Sequence, residues 1–319
     1  MTVGTDGIIG DSPAVLGLRA LIAVAAPSHL PVLIQGPTGA GKELVAAALH
    51  ALSKRTGRFV AFNVCAIGDS MFEDALFGHV RGAFTGAISD SLGLLREGDK
   101  GTVFFDEISG LHASLQAKLL RAVETQEFRP VGASRDARSA FRFVAATNVP
   151  LERLVAAGAF RSDLAHRIGA IVIHVPPLVH RLEDIAALAD HFLAASGCGR
   201  AVIDEAAVRM LQRHTWPGNI RELKQVVEWA CLLGDGQLSA RVIEVALSQR
   251  MHGEPRMDDA RAYVELRGLL DIHGWDTQSA ARALGVHRAT LYRRMKRQRL
   301  VPPTGERHGN GSSSVAARA

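Results

Sequence analysis

The sequence predicts an α/β domain on a mostly parallel sheet, then a helical subdomain, then a small basic all-α module. Three observations carry that prediction. Short apolar runs that end in polar residues alternate with helical stretches as far as residue 176. Beyond Pro176-Pro177 the strand pattern gives way to amphipathic helical spacing. Residues 261–300 hold nine Lys/Arg against three Asp/Glu, a net charge of +6, while the first 260 residues sum to −2.

"PVLIQG" (31–36) reads as a short buried strand running into glycines, and "ELVAAALHALS" behind it has helical spacing. "RFVAFNV" (58–64), "TVFFDE" (102–107), "FRFVAATN" (141–148) and "GAIVIHVP" (169–176) are further strands, with a helix at 113–126. Such a sheet binds ligands at the carboxyl ends of its strands. Helices are expected at 183–196, 204–214, 219–232 and 239–249. "MHGEPRMDDA" (251–260) is polar, with Gly and Pro, and reads as a linker. The expected domains are an α/β subdomain over 1–177, a helical subdomain over 178–250, the linker over 251–260, the basic module over 261–300 and a disordered tail over 301–319.

Across 319 residues, 47% hydrophobic and 22% charged content is ordinary for a packed globular chain. No apolar run approaches the ~20 residues of a membrane span; the best candidates are broken by Pro27 and Pro176. No basic residue precedes Arg19, so no signal peptide is expected. Cys65, Cys198 and Cys231 have no paired or metal-like spacing, which points to buried thiols in a reducing cytoplasm. The thirteen histidines are scattered, which argues against a metal site made of protein ligands alone.

"GPTGAGKE" (36–43) lies between a strand and a helix. Its glycines let backbone N–H groups of Gly36, Pro37-flanked Thr38, Gly39, Ala40 and Gly41 curl around phosphates, and Lys42 reaches the outer oxygens. Glu43 stands where a phosphate-binding loop usually places a Mg²⁺-binding hydroxyl. "GTVFFDEI" (101–108) ends a strand in paired carboxylates: Asp106 suits Mg²⁺, and Glu107 suits polarising the attacking water of ATP hydrolysis. Thr147 and Asn148 end a third strand, placed to sense the γ-phosphate or position water; by themselves they equally fit a helix cap.

Between these two motifs lies "FGHVRGAFTGA" (77–87), a glycine-hinged loop with Phe84 at its tip. "RGAFTGA" (81–87), with the phosphate loop and "FFDEI", closely resembles the AAA+ core of bacterial enhancer-binding proteins, the activators of sigma-54 RNA polymerase. The resemblance runs from "IIGDSP" (8–13) through "TWPGNIREL" (215–223) and resumes at the C-terminus. It implies an AAA+ P-loop NTPase with a parallel sheet and helical lid, plus a small all-α helix-turn-helix domain. In that family Glu commonly follows the P-loop lysine, so Glu43 fits. Residues Gly82, Ala83, Phe84, Thr85, Gly86 and Ala87 then form the sigma-54-contacting loop, raised and lowered by nucleotide state.

Further roles follow from the resemblance position by position. Asn63 matches an asparagine that couples the catalytic glutamate, Glu107, to the loop. "AFRSDLAHRI" (159–168) resembles the segment that presents arginines to a neighbour's ATP, which gives that role to Arg161 and Arg167; as bare residues both also fit surface ion pairs. Arg221 matches the lid arginine that reaches the phosphates, and Ile9 and Gly10 match the start of the adenine pocket. Sites split between subunits imply a ring, hexameric in the family. Ala165-His166, Val179-His180 and Leu95-Arg96 depart from the usual residues there, and none removes a catalytic group.

"TQSAARALGVHRATLYRRMKRQRL" (277–300) has helix, glycine turn and helix, and resembles the Fis-type helix-turn-helix of the same family. Ala281, Leu284 and Val286 can pack on Leu291 and Met295, leaving Arg288, Thr290, Arg293, Arg294 and Arg297 for a major groove of double-stranded DNA. "MTVGTDG" runs straight into "IIGDSP", leaving no room for a sensory domain. Regulation is then expected from a trans-acting protein or expression level or, for a fragment, from a missing segment. The expected function is a cytoplasmic sigma-54-dependent activator that binds upstream DNA and uses ATP and Mg²⁺ to convert closed promoter complexes to open ones. A DNA-binding regulator with a vestigial ATPase, and an AAA+ remodeller of another substrate, are the rival readings.

Overall fold

The computed structural model describes residues 7–196, 202–251, 266–284, 286, 288–297 and 300. Two compact units divide the chain, Met1–Ile243 and Glu244–Ala319. The expected tail, and the expected linker apart from Met251, lie outside the described residues.

The first unit is built on five parallel strands: β1 (Val32–Gln35), β2 (Phe59–Asn63), β3 (Thr102–Asp106), β4 (Arg142–Thr147) and β5 (Ile171–His174), in the order β2-β3-β4-β1-β5. All five expected strands form, each trimmed by a residue or two at its ends. Alternate side chains leave the sheet on opposite faces, which sorts the core into two layers. Leu33, Phe105, Phe143 and Ala145 enter one apolar cluster, while Val32, Ile34, Phe104, Val144 and Ala146 enter the other. Phe105 joins neighbouring strands on the first face, stacked on Phe143 with ring centroids 4.9 Å apart.

Helix α1 (Pro13–Ala25) and α2 (Lys42–Leu52) cover the second face, and α3 (Ala113–Thr125) and α4 (Ser162–Ile168) the first. The apolar "LIAVAA" run is the end of α1, which the sequence reading left unassigned. Ser12 caps it by accepting the Val15 N–H, and Pro13 opens it where a missing N–H costs nothing. At its other end buried Arg142 donates to Ala25 O and Ala26 O, both at 2.7 Å. Desolvation, then the charge of Arg55, lowers that guanidinium to about 10.

Beyond the sheet lie α5 (Ile185–Ala195), α6 (Glu205–Gln212), α7 (Asn219–Gly234) and α8 (Ala240–Met251), matching the four expected helices. The cysteines correct the sequence reading. Cys65 is exposed, because the chain turns away from the sheet directly after β2, whereas Cys231 is buried and disulfide-bonded. Cys198 lies outside the described residues.

In the second unit, α9 (Thr277–Ala283) is capped by Asp276, whose carboxylate accepts the N–H groups of Gln278 and Ser279. It meets α10 (Arg288–Arg297) over a small core of Leu266, Leu270, Ala280, Ala281, Leu291 and Met295, with Leu284 and Val286 packed against it.

Candidate functional site

The polar ends of the strands converge at the carboxyl edge of the sheet. After β1 the chain turns through Gly39 (φ 76°) and Gly41 (φ 100°) before entering α2, torsions that L side chains rarely adopt. Lys42, 7% exposed, donates to Gly36 O at 3.1 Å, and its Nζ lies 3.6 Å from Glu107 Oε1. Glu107 follows β3 in a left-handed conformation (φ 55°, ψ 48°), and its N–H donates to Asp106 Oδ1 at 3.1 Å. A non-glycine residue held at such torsions is stored strain of the kind found where side chains must be aimed. Glu43 is exposed on the first turn of α2.

On neighbouring strands, Asn148 after β4 donates to Thr38 Oγ1 at 3.3 Å. Thr147 is fully buried, and its hydroxyl is committed to both the N–H and the C=O of Val149. Asn63 ends β2 in register with Asp106, but its Oδ1 accepts the Cys65 N–H at 2.9 Å. The helix after Thr147 and Asn148 starts at Leu151 with no side-chain cap, so neither residue caps it.

The lid touches this loop directly. Asn219, at the start of α7, donates to Thr38 O at 3.0 Å, and the Arg221 N–H reaches Gly39 O at 3.2 Å. The Arg221 side chain is exposed. Gly10 (φ 120°) packs so close to the buried Asp184 carboxylate that a Cβ there would come within 2.3 Å. Asp184 accepts the N–H groups of Asp11 and Ser12, each at 2.9 Å, which ties the segment holding Ile9 and Gly10 to the start of the lid. Arg181 is buried beside the P-loop, and burial lowers its pKa against the attraction of Asp184.

Two predicted parts stand apart. Gly82–Ala87 forms a turn closed by Gly82 N–H to Ala87 O (2.9 Å) and Ala87 N–H to Phe84 O (3.0 Å). A Cβ on Gly82 (φ 81°) or Gly86 (φ 103°) would meet open space, and Phe84 is 45% exposed, its ring edge-on to His79 at 5.0 Å. Arg161 and Arg167 are also on the surface. Arg161 pairs with Asp163 at 2.7 Å, a bond that raises its pKa. Its backbone N–H is held by Gln116 Oε1, while Gln116 Nε2 donates to Leu111 O and Ala159 O.

In the second unit, Arg288, Arg293 and Arg294 are exposed along α10 and Thr290 is half-buried; the Arg297 side chain lies outside the described residues. Arg288 sits over the Tyr292 ring at 5.5 Å. Sequence reasoning missed Asn219, Asp184, Arg181 and Gln116. Their signal is burial of polar groups against distant backbone, which spacing along the chain does not carry.

Residues 8–174 match the sigma-54 interaction domain family, 179–259 the AAA+ ATPase lid domain, and 268–297 the bacterial regulatory protein, Fis family. The transcriptional regulatory protein ZraR of Klebsiella oxytoca is 40% identical over 307 residues, covering 91% of this chain and 69% of its own. The transcriptional regulatory protein GlrR of Escherichia coli K12 is 36% identical over 304 residues, covering 92% of this chain and 68% of its own. Crystalline NtrX from Brucella abortus in complex with ADP superimposes with a TM-score of 0.69 at 32% identity, covering 92% of this chain and 69% of that one. The chain belongs to the sigma-54-dependent transcriptional regulators, as an AAA+ ATPase that joins a sigma-54 interaction domain and lid to a Fis-type DNA-binding domain.

Proposed function

We propose that this regulator binds upstream DNA through 261–300 and assembles into a hexameric ring in the cytoplasm. It hydrolyses ATP at sites shared between protomers and uses the 82–87 loop to open sigma-54 promoter complexes. The observation that carries this reading is the meeting of Lys42 and Glu107 at one edge of the sheet, 3.6 Å apart.

In this reading, free N–H groups of the 36–42 loop and the start of α2 hold the phosphates, and Lys42 turns from Glu107 to the outer oxygens. Released, Glu107 takes the proton of the attacking water, and Asn148, anchored to Thr38, orients that water. Asp106, with one oxygen free of its bond to Glu107 N–H, would hold Mg²⁺, which neutralises phosphate charge; one carboxylate plus phosphates and water is a donor set that suits it. Arg161 and Arg167 serve the neighbouring protomer, the former after leaving Asp163. Ile9 and Gly10 line the adenine side and Arg221 approaches from the lid. Asn63 relays the state of Glu107 to the loop, where Phe84 and Thr85 offer a compact apolar and hydroxyl contact between hinge glycines. Arg288, Thr290, Arg293, Arg294 and Arg297 contact the major groove.

The test is open-complex formation on a sigma-54 promoter with ATP and with a non-hydrolysable analogue. Opening with ATP alone is expected. Equal opening with the inert analogue defeats the reading.

A further inference from the structure

Asn219 is 4% exposed and sits at φ 52°, a left-handed torsion that asparagine tolerates better than most residues. Its carboxamide joins three segments. Nδ2 donates to Thr38 O at 3.0 Å, in the P-loop; Oδ1 accepts the Leu178 N–H at 2.9 Å, where the chain crosses from sheet to lid. Beside it, Gly218 O presses on Gly39 so closely that a Cβ on Gly39 would come within 2.3 Å. The Arg221 N–H completes the contact at Gly39 O, 3.2 Å away.

The peptide between Thr38 and Gly39 is planar and trans, so its C=O and N–H point in opposite directions. Holding Thr38 O against the lid therefore turns the Gly39 N–H away from the lid. Among the described residues that N–H has no hydrogen-bond partner. A loop that cradles phosphates needs such N–H groups free and aimed before the nucleotide arrives.

We propose that Asn219 is a positioning residue: it fixes the orientation of the Thr38–Gly39 peptide, so that the lid presets one phosphate-binding N–H. The proposal rests on reading 36–42 as the phosphate cradle. It makes phosphate affinity depend on lid placement through one side chain that touches neither base nor phosphate.

Asn219→Gly in the full chain separates this from backbone strain, because glycine accepts the left-handed torsion while both carboxamide bonds are lost. Asn219→Asp is the second variant, keeping the acceptor for Leu178 N–H and losing the donor to Thr38 O. Equilibrium ATP binding, steady-state ATPase and melting temperature are measured for both, with Lys42→Ala as comparator. Both variants are expected to raise Kd and KM for ATP about tenfold or more, with kcat at saturation within about threefold of the parent. If folded Asn219→Gly and Asn219→Asp keep the parent's Kd and KM while Lys42→Ala loses ATP, the proposal is overturned and the cradle stands. A lowered melting temperature with unchanged Kd is the signature of a merely bracing residue and overturns it too. Parent-like binding by Lys42→Ala removes the cradle reading and the proposal with it.

Discussion

Lys42 Nζ stands 3.6 Å from Glu107 Oε1, with the lysine 7% and the glutamate 22% exposed. Lys42 opens the helix behind β1 and Glu107 directly follows β3, and the pairing places opposite charges where nucleotide phosphates are proposed to sit. Each group must leave the other before it can act on a substrate.

Glu107→Gln removes the charge that holds Lys42 while keeping the size of the side chain. The lysine is then free for phosphate, and the base that activates water is gone. ATP should bind at least as tightly as to the parent, and turnover should fall by about 10²–10⁴. Equilibrium binding and phosphate release check both halves; weakened binding with turnover intact runs against the assignment.

The loop asks a different question, because its substitutions lie away from the phosphates. Phe84 is half-exposed and its ring meets only the edge of His79 among the described aromatic rings, so Phe84→Ala and Thr85→Ala leave the core packing untouched. ATPase activity should stay within about twofold of the parent while open-complex formation falls about tenfold or more. Promoter opening assayed beside phosphate release decides it. Loss of both activities together would make the loop part of the hydrolytic site instead.

The strands and the P-loop were legible because each writes its signal locally. β3 is five residues that end in Asp106, and the glycines at 39 and 41 mark positive φ in the sequence itself. α1 was not legible. Its surface face is nearly as apolar as its buried one, with Leu16, Leu21 and Val24 all exposed, so no amphipathic period stands out. Asn219, Gln116 and Asp184 were invisible for another reason. Each makes at least one hydrogen bond to backbone far away in the chain, 181 positions away for Asn219 to Thr38, and only the folded topology brings those partners together.

His50 supplies a pH dependence of stability. Burial first, then the charges of Arg55 and Arg142, hold its imidazole below its ordinary range, and Nδ1 lies 3.0 Å from Thr102 Oγ1. The unfolded chain therefore takes up a proton at higher pH than the folded one. The stability gained by keeping the ring neutral is complete above about pH 6.5 and drains as pH falls from there toward the folded value. His50→Gln does not titrate and can keep the contact with Thr102. Between about pH 7.5 and about pH 5.5 the parent's melting temperature should fall more than that of His50→Gln. Parallel curves would mean that the environment of His50 does not perturb it.

Sharing of the site between protomers can be tested without a structure of the ring. Arg167 lies exposed in the last turn of α4, and Arg161 is exposed and, among the described residues, ion-paired with its neighbour Asp163. If Arg167 serves the adjacent protomer, Arg167→Ala damages the neighbour's site and leaves its own P-loop and Glu107 intact. Glu107→Gln does the reverse. In a mixed ring, wherever a Glu107→Gln protomer lends its Arg167 to an Arg167→Ala protomer, one site contains every group it needs. Mixing the two inactive variants should therefore restore ATPase activity, to roughly a quarter of the parent at equal amounts if protomers exchange at random and about one interface in four is intact. Arg161→Ala in place of Arg167→Ala gives the same test for the second arginine. A mixture that stays inactive, although the two variants are shown to co-assemble, would place the arginine in its own protomer's site.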